Sequence, residues 1–252
     1  MNSAFKRISI ANIELDDLTP EQIIGKTSET IKSGTGNLFI VTLDILGSYN
    51  RLFDQVYDGC VKNADIITCD GAGLKLLSFL KYPDNIKNKI SGVDLGQLLL
   101  SESDTRQYKV AFIGAKADII EKLKNVIQKE YPGISGFFHH GYFTEAQKAN
   151  VIEGLIKFSP DIVFVALGNP AQEKFIAQVT SFFKGVVFIG VGGSFDVWSK
   201  TLKRAPAIMQ KLYIEWLYRL YQEPKRIKRM LNIPKYIFYV FISEGIKRLC
   251  SK

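Results

Sequence analysis

The segment DIVFVALGNPAQEKF, Asp161 to Phe175, decides the fold. DIVFVALG, Asp161 to Gly168, is a short apolar run rich in β-formers. Such a run reads as a strand covered on both faces, because a half-exposed strand would alternate with polar residues. Gly168-Asn169-Pro170-Ala171-Gln172-Glu173 then follows the strand end. Working outward, LFIVTL (Leu38 to Leu43), ADIITC (Ala64 to Cys69), KVAFIG (Lys109 to Gly114) and GVVFIGVGG (Gly185 to Gly193) read as strands of the same kind. Helical spacing fills Ala117 to Glu130 and Thr144 to Lys157. Thr19-Pro20-Glu21-Gln22 is a helix start, with Thr as the cap, Pro in the first turn and Gln three residues on. Apolar strands alternating with helices predict an α/β fold with a mostly parallel sheet and helices on both faces.

The chain has 252 residues, 46% hydrophobic and 23% charged, which suits one globular body with a buried core. Its net charge of +8 is unevenly spread. From Lys200 to Lys252 there are 13 Lys/Arg against 3 Asp/Glu, whereas the remainder carries 20 against 22. A nearly neutral body with a strongly basic end points to an anionic partner. Cys60, Cys69 and Cys250 are too few and too irregular for a disulfide framework or a zinc site. The start, MNSAFKRISIANIELDD, has no signal-peptide run, and no window approaches the roughly 20 apolar residues needed to span a bilayer. The expected location is the cytoplasm, at the inner face of the membrane.

In parallel sheets ligands bind beyond the carboxyl ends of the strands. The residues there are Thr42 and Asp44, then Asp70-Gly71-Ala72-Gly73, Gly114, Gly168 to Glu173, and Gly192-Gly193-Ser194-Phe195-Asp196. Glycine lets backbone N–H groups approach an anion, and helix N-termini favour negative charge. Their recurrence at several strand ends suggests a nucleotide diphosphate, although each glycine alone also serves as a plain strand-to-helix turn. Asp70 ends an apolar strand before a Gly-x-Gly turn, so it is either a partly desolvated general base or a helix cap. The two histidines, His139 and His140, are adjacent and would face opposite ways in a strand, which excludes a three-His metal site. GxGxxG after the first strand and GxxxxGK[ST] are both absent, which weighs against NAD and ATP.

IVTLDI, ADIITCDGAGL, ISGVDL, FIGAKADIIEKL, HGYF, IVFVALGNPAQEKFI, GVGGSFDV and RAPAIMQKLYIEWLYRLYQEPKRIKRM occur in this order. Together they resemble the WecG/TagA/CpsF family, glycosyltransferase family 26, from about residue 8 to 232. The resemblance implies a Rossmann-like variant fold and an inverting, metal-independent transfer without cofactor. The sugar would come from a nucleotide diphosphate sugar, UDP being the expected nucleotide, and N-acetylmannosamine-type, glucuronic-type and hexose donors all fit. The acceptor would be a polyprenyl-diphosphate-linked saccharide in cell-surface polysaccharide synthesis. By the resemblance, Asp70 is the catalytic base and Thr42 lies near the sugar phosphate. Gln172 and Asp196 line the donor pocket, Asp196 on the nucleotide side. Gly71, Gly114, Gly168 and Gly192 complete the expected substrate site, with Lys89 where the family has Arg. Asp44 stands where the family usually has Asn, and Ser199-Lys200 replace a small-Gly pair. The rival readings are a nucleotide-dependent oxidoreductase and a non-catalytic membrane-binding relative.

Residues 1–199 are thus expected to form the nucleotide-sugar-binding body, and residues 200–252 a basic amphipathic helical appendage. Ile208, Met209, Leu212, Tyr213, Trp216, Leu217, Leu220 and Tyr221 follow one helical stripe. Pro224 and Pro234 are expected to break the tail into about three pieces. The last piece, with Tyr236 to Ile242 flanked by Lys235, Lys247 and Arg248, suits an interfacial helix on an anionic membrane surface. Arg204, Arg219, Arg226 and Arg229 are the expected phosphate contacts, since a guanidinium grips phosphate in two places. No nucleic-acid module occurs, and the sequence leaves homo-oligomerisation open.

Overall fold

A computed structural model describes residues 7–10, 13–81, 86–212 and 214–250, with backbone alone at 81 and 244–250. Strands β1 (Arg7–Ile10) and β2 (Ile13–Asp16) form an antiparallel pair. There follow α1 (Pro20–Ser33), β3 (Leu38–Leu43), α2 (Ile45–Asn50), α3 (Gln55–Lys62), β4 (Ile66–Cys69), α4 (Ala72–Lys81), α5 (Gly92–Arg106) and β5 (Lys109–Gly114). Next come α6 (Ala117–Glu130), β6 (Ser135–His139), α7 (Glu145–Phe158), β7 (Ile162–Ala166), α8 (Ala171–Val179), β8 (Val187–Gly190) and α9 (Ser194–Trp198). The tail holds α10 (Ala207–Lys211), α11 (Glu215–Gln222), a 3₁₀ turn over Pro224–Arg226, α12 (Ile227–Met230) and α13 (Asn232–Cys250). The cap expected at Thr19 is present in full: its hydroxyl accepts the Gln22 N–H, and the Gln22 side chain accepts the Thr19 N–H at 2.8 Å.

Strands β3 to β8 form one parallel sheet in the order β4-β3-β8-β7-β5-β6. Successive side chains leave a strand on opposite faces, so each strand feeds two cores. Val41, Ile67, Val163 and Phe188 pack on one face against Leu74 of α4, Val151 of α7 and Phe175 of α8. Ile40, Ile66, Phe164 and Ile189 pack on the other against Ile23 of α1, Leu99 of α5 and Phe195 of α9. Each such side chain, fully buried, contributes about 1.5–3 kcal/mol. Because the strands are parallel, all their carboxyl ends lie along one edge, which therefore gathers the turn residues into a common site.

The tail returns to that edge. Tyr236 and Val240 of α13 are buried against α2, at 1% and 0% exposure. The tail differs from the sequence reading in two ways. Pro234 does not break a helix but sits in the first turn of α13, where a missing N–H leaves no intrahelical bond unmade. The expected stripe is divided between α10 and α11 and is largely solvent-facing: Ile208, Leu212, Trp216, Leu217 and Tyr221 are all exposed. Tyr213 of that stripe lies outside the described residues, as do the side chains of Lys247, Arg248 and Cys250. Among the described residues no helix is long and apolar enough to cross a membrane.

Candidate active site

Asp70 follows β4 directly, and its N–H donates to the Leu43 carbonyl of β3 at 2.8 Å. Its carboxylate reaches α5. It accepts the Gly92 N–H, at the start of α5, at 3.1 Å. Burial pushes Asp70 up to about 6, and the Asp44 charge adds to this. The Gly92 bond and the Arg219 and Lys89 charges oppose it. The result is a half-buried carboxyl that is ionised at neutral pH yet more basic than a surface aspartate, which suits a general base.

Thr42 donates its hydroxyl to the Gly190 carbonyl at 3.1 Å and so ties the ends of β3 and β8 together. It also abuts Gly92, where a Cβ would lie 3.0 Å from the Thr42 oxygen. Asp44 caps α2, accepting the Gly47 N–H at 2.6 Å. Burial pushes Asp44 up, while the charge of Arg226 holds it down. Gly192 adopts φ +51°, a left-handed turn that a side chain would strain. Gly71 and Gly168 turn their strands in the same region of φ. Gly114 also has a positive φ, +139°, and is packed closely: a Cβ there would lie 2.4 Å from the Ala166 carbonyl oxygen.

Gln172 is placed beneath the site rather than in it. It is 4% exposed, and both ends of its amide are engaged, with Glu173 at 2.8 Å and with the Gly192 N–H at 2.9 Å. Asp196 does face open space. With Gly193, Arg204, Arg219, Glu223 and Arg226 it lines a solvent-open cleft of about 440 Å³ between α9 and the tail. Burial and the Glu223 charge push Asp196 up, and Arg226 pulls it down.

The profile of the Glycosyl transferase WecG/TagA/CpsF family matches residues 8–249. The chain belongs to this family. As a WecG/TagA/CpsF glycosyltransferase it is also similar to proteins named N-acetylglucosaminyldiphosphoundecaprenol N-acetyl-beta-D-mannosaminyltransferase. The one from Bacillus subtilis (strain 168) is 38% identical over 202 residues, 80% of this chain and 78% of the relative. That from Bacillus spizizenii is 36% identical over 207 residues, 82% and 79% of the two chains. That from Staphylococcus aureus (strain MW2) is 33% identical over 240 residues, 93% and 92% of the two chains.

In this glycosyltransferase the four tail arginines fall into different places. Arg219 and Arg226 line the cleft, and their charges reach Asp70 and Asp44 respectively. Arg204 lines it too, but its fork is engaged by Asp94 of α5, at 2.6 and 2.7 Å. Arg229 is exposed and outside the cleft lining, although its charge lowers Arg226. Lys89 is half-buried, and its charge reaches both Asp70 and Asp94. Lys200 takes φ +61° and pairs with Glu130 of α6. His139 ends β6 and His140 follows it, their rings 4.8 Å apart.

The structure brings in residues to which the sequence reading gave no role. Gly92 and Asp94 hold the base and a tail arginine. Asn169, Glu173 and Tyr57 form a hydrogen-bonded group behind the Gly192 turn. A signal for them existed in the run of amide and carboxyl side chains in NPAQE, too polar to follow a buried strand without partners.

Proposed function

We propose that this glycosyltransferase moves N-acetylmannosamine from a UDP sugar to N-acetylglucosaminyl-diphospho-undecaprenol, with inversion and without a metal. One observation supports this above others: Asp70, raised to about 6, follows β4 within reach of the Arg219 charge, and Arg219 lines a cleft together with Arg226. A base with cations close by is what such a transfer uses. The acceptor hydroxyl gives its proton to the Asp70 carboxylate as its oxygen bonds to the anomeric carbon. The bond from that carbon to the diphosphate breaks, and the electron pair leaves with UDP. Arg219 and Arg226 stabilise the charge gained by the departing diphosphate. The sugar and the acceptor are taken from the names of the relatives.

The lipid of such an acceptor stays in the bilayer, so the cleft must be held at the membrane surface. Exposed Ile208, Trp216 and Tyr221 with Lys203, Lys211 and Lys225 suit anionic lipid, each cation near the surface contributing about 1 kcal/mol. The body over residues 1–199 then binds the donor, and residues 200–252 dock the enzyme and close the site, at the inner face of the cell membrane.

The test is a panel of nucleotide sugars offered with a short lipid-diphospho-N-acetylglucosamine acceptor, with and without EDTA. UDP-N-acetylmannosamine should be the donor used, at the same rate in EDTA. Use of another sugar would overturn the substrate assignment, and loss on chelation restored by magnesium would overturn metal independence.

A further inference from the structure

Glu173 is 1% exposed and lies behind the Gly192 turn. Its Oε1 accepts the Gln172 Nε2–H at 2.8 Å, and its Oε2 accepts an Asn169 Nδ2–H at 3.4 Å. Burial pushes Glu173 up to about 7, while the Gln172 and Asn169 N–H groups hold it down. In its ionised form the carboxyl can only accept, so both amides then turn their NH₂ ends toward it. Their oxygens are then aimed elsewhere. Gln172 Oε1 takes the Gly192 N–H at 2.9 Å, and Asn169 Oδ1 takes the Asn50 Nδ2–H of α2 at 2.9 Å. The fit is close: a Cβ on Gly190 would lie 2.5 Å from Gln172 Nε2.

We propose that Glu173 is a positioning residue for the donor site: it locks the Gln172 amide in the one orientation that grips the Gly192 turn, and so fixes the wall of the cleft at Gly193 and Asp196. The inference rests on the donor-pocket reading above. It also gives Gln172 a part to play without touching substrate.

The full-length chain can test it by two measurements, hydrogen exchange at the Gly192 amide by NMR and UDP binding by calorimetry. Glu173→Gln keeps the volume but puts an NH₂ against one of the two donors, so an amide must flip or a bond be lost. Gly192 protection should fall about tenfold and the Kd for UDP rise about tenfold, the weight of one unmet buried hydrogen bond. Turnover at saturating donor should stay within about threefold, because the variant acts on binding rather than on the base. The swap Gln172→Glu with Glu173→Gln remakes every bond. The new carboxylate at 172 accepts from Gly192 and from the new amide at 173, whose oxygen accepts from Asn169. It should return both readings to within about threefold of wild type, since a double exchange that rebuilds the contact cancels the single loss.

Undiminished protection in Glu173→Gln would overturn the proposal, as would lost protection with unchanged UDP affinity. So would a swap that fails to restore what the single variant lost. Should Glu173→Gln not fold, the swap decides by itself. A wild-type chain that does not bind UDP overturns the donor reading instead, while the exchange measurement still reports Glu173's hold on the turn.

Discussion

The Asp70 carboxylate accepts the Gly92 backbone N–H at 3.1 Å, which joins the end of β4 to the start of α5. The bond moderates burial without cancelling it, and Asp70 stands at about 6. A base works only in its unprotonated form, so activity is present above this value and lost below it. The turnover number should be flat from about pH 7 to 8 and fall about tenfold per unit below about pH 6. A turnover–pH profile at saturating substrates measures this. A profile flat down to pH 4.5 would separate Asp70 from the proton transfer.

Asp44 contributes to that same titration, because its negative charge raises Asp70. Asn is as good a helix cap as Asp, so Asp44→Asn should leave the fold intact, with stability changed by less than about 0.5 kcal/mol. Without the neighbouring charge, the acid limb should move to lower pH. An unmoved or upward-shifted limb would show that the two carboxyls do not interact.

The cleft separates the roles of the arginines. Arg219→Ala and Arg226→Ala should each lower turnover by about 10²-fold, the usual weight of one charge-stabilising donor. Arg229→Ala, outside the cleft lining, should leave turnover on a water-soluble acceptor within about twofold and weaken binding to anionic vesicles by about 1 kcal/mol. Equal effects of all three on turnover would contradict the placement of Arg219 and Arg226 in the cleft wall and of Arg229 outside it.

The helix α13 has an inward and an outward face. Tyr236→Ala removes a fully buried ring and should cost about 3 kcal/mol in denaturant unfolding. Phe238→Ser, at a side chain 69% exposed, should cost little stability but reduce vesicle binding. The reverse pattern would mean that α13 does not dock on α2.

Much of this was legible in the sequence, for identifiable reasons. LFIVTL and KVAFIG coincide with β3 and β5 because a strand buried on both faces must be apolar throughout. The pair β1 and β2 was not legible: RISI and IELD are four residues each, and half of each is polar. Asp70 and Asp196 were legible because both follow strands of a parallel sheet, beyond whose carboxyl ends ligands bind. Glu173 was legible only as part of the polar run NPAQE; its link through Asn169 to Tyr57 and Asn50, on distant elements, was not. The tail was legible as apolar and basic, but which of its side chains point inward is decided by α2, so Tyr236 and Val240 could not be told from Phe238.

The most direct measurement compares Asp70→Asn with the wild-type chain, reading UDP affinity and sugar transfer side by side. The substitution preserves shape and an acceptor oxygen for the Gly92 N–H but removes the base. UDP affinity should stay within about threefold, and transfer should fall by about 10²–10⁴-fold. Transfer within threefold of wild type, with UDP binding intact, would contradict the assignment of Asp70 as the base of this glycosyltransferase.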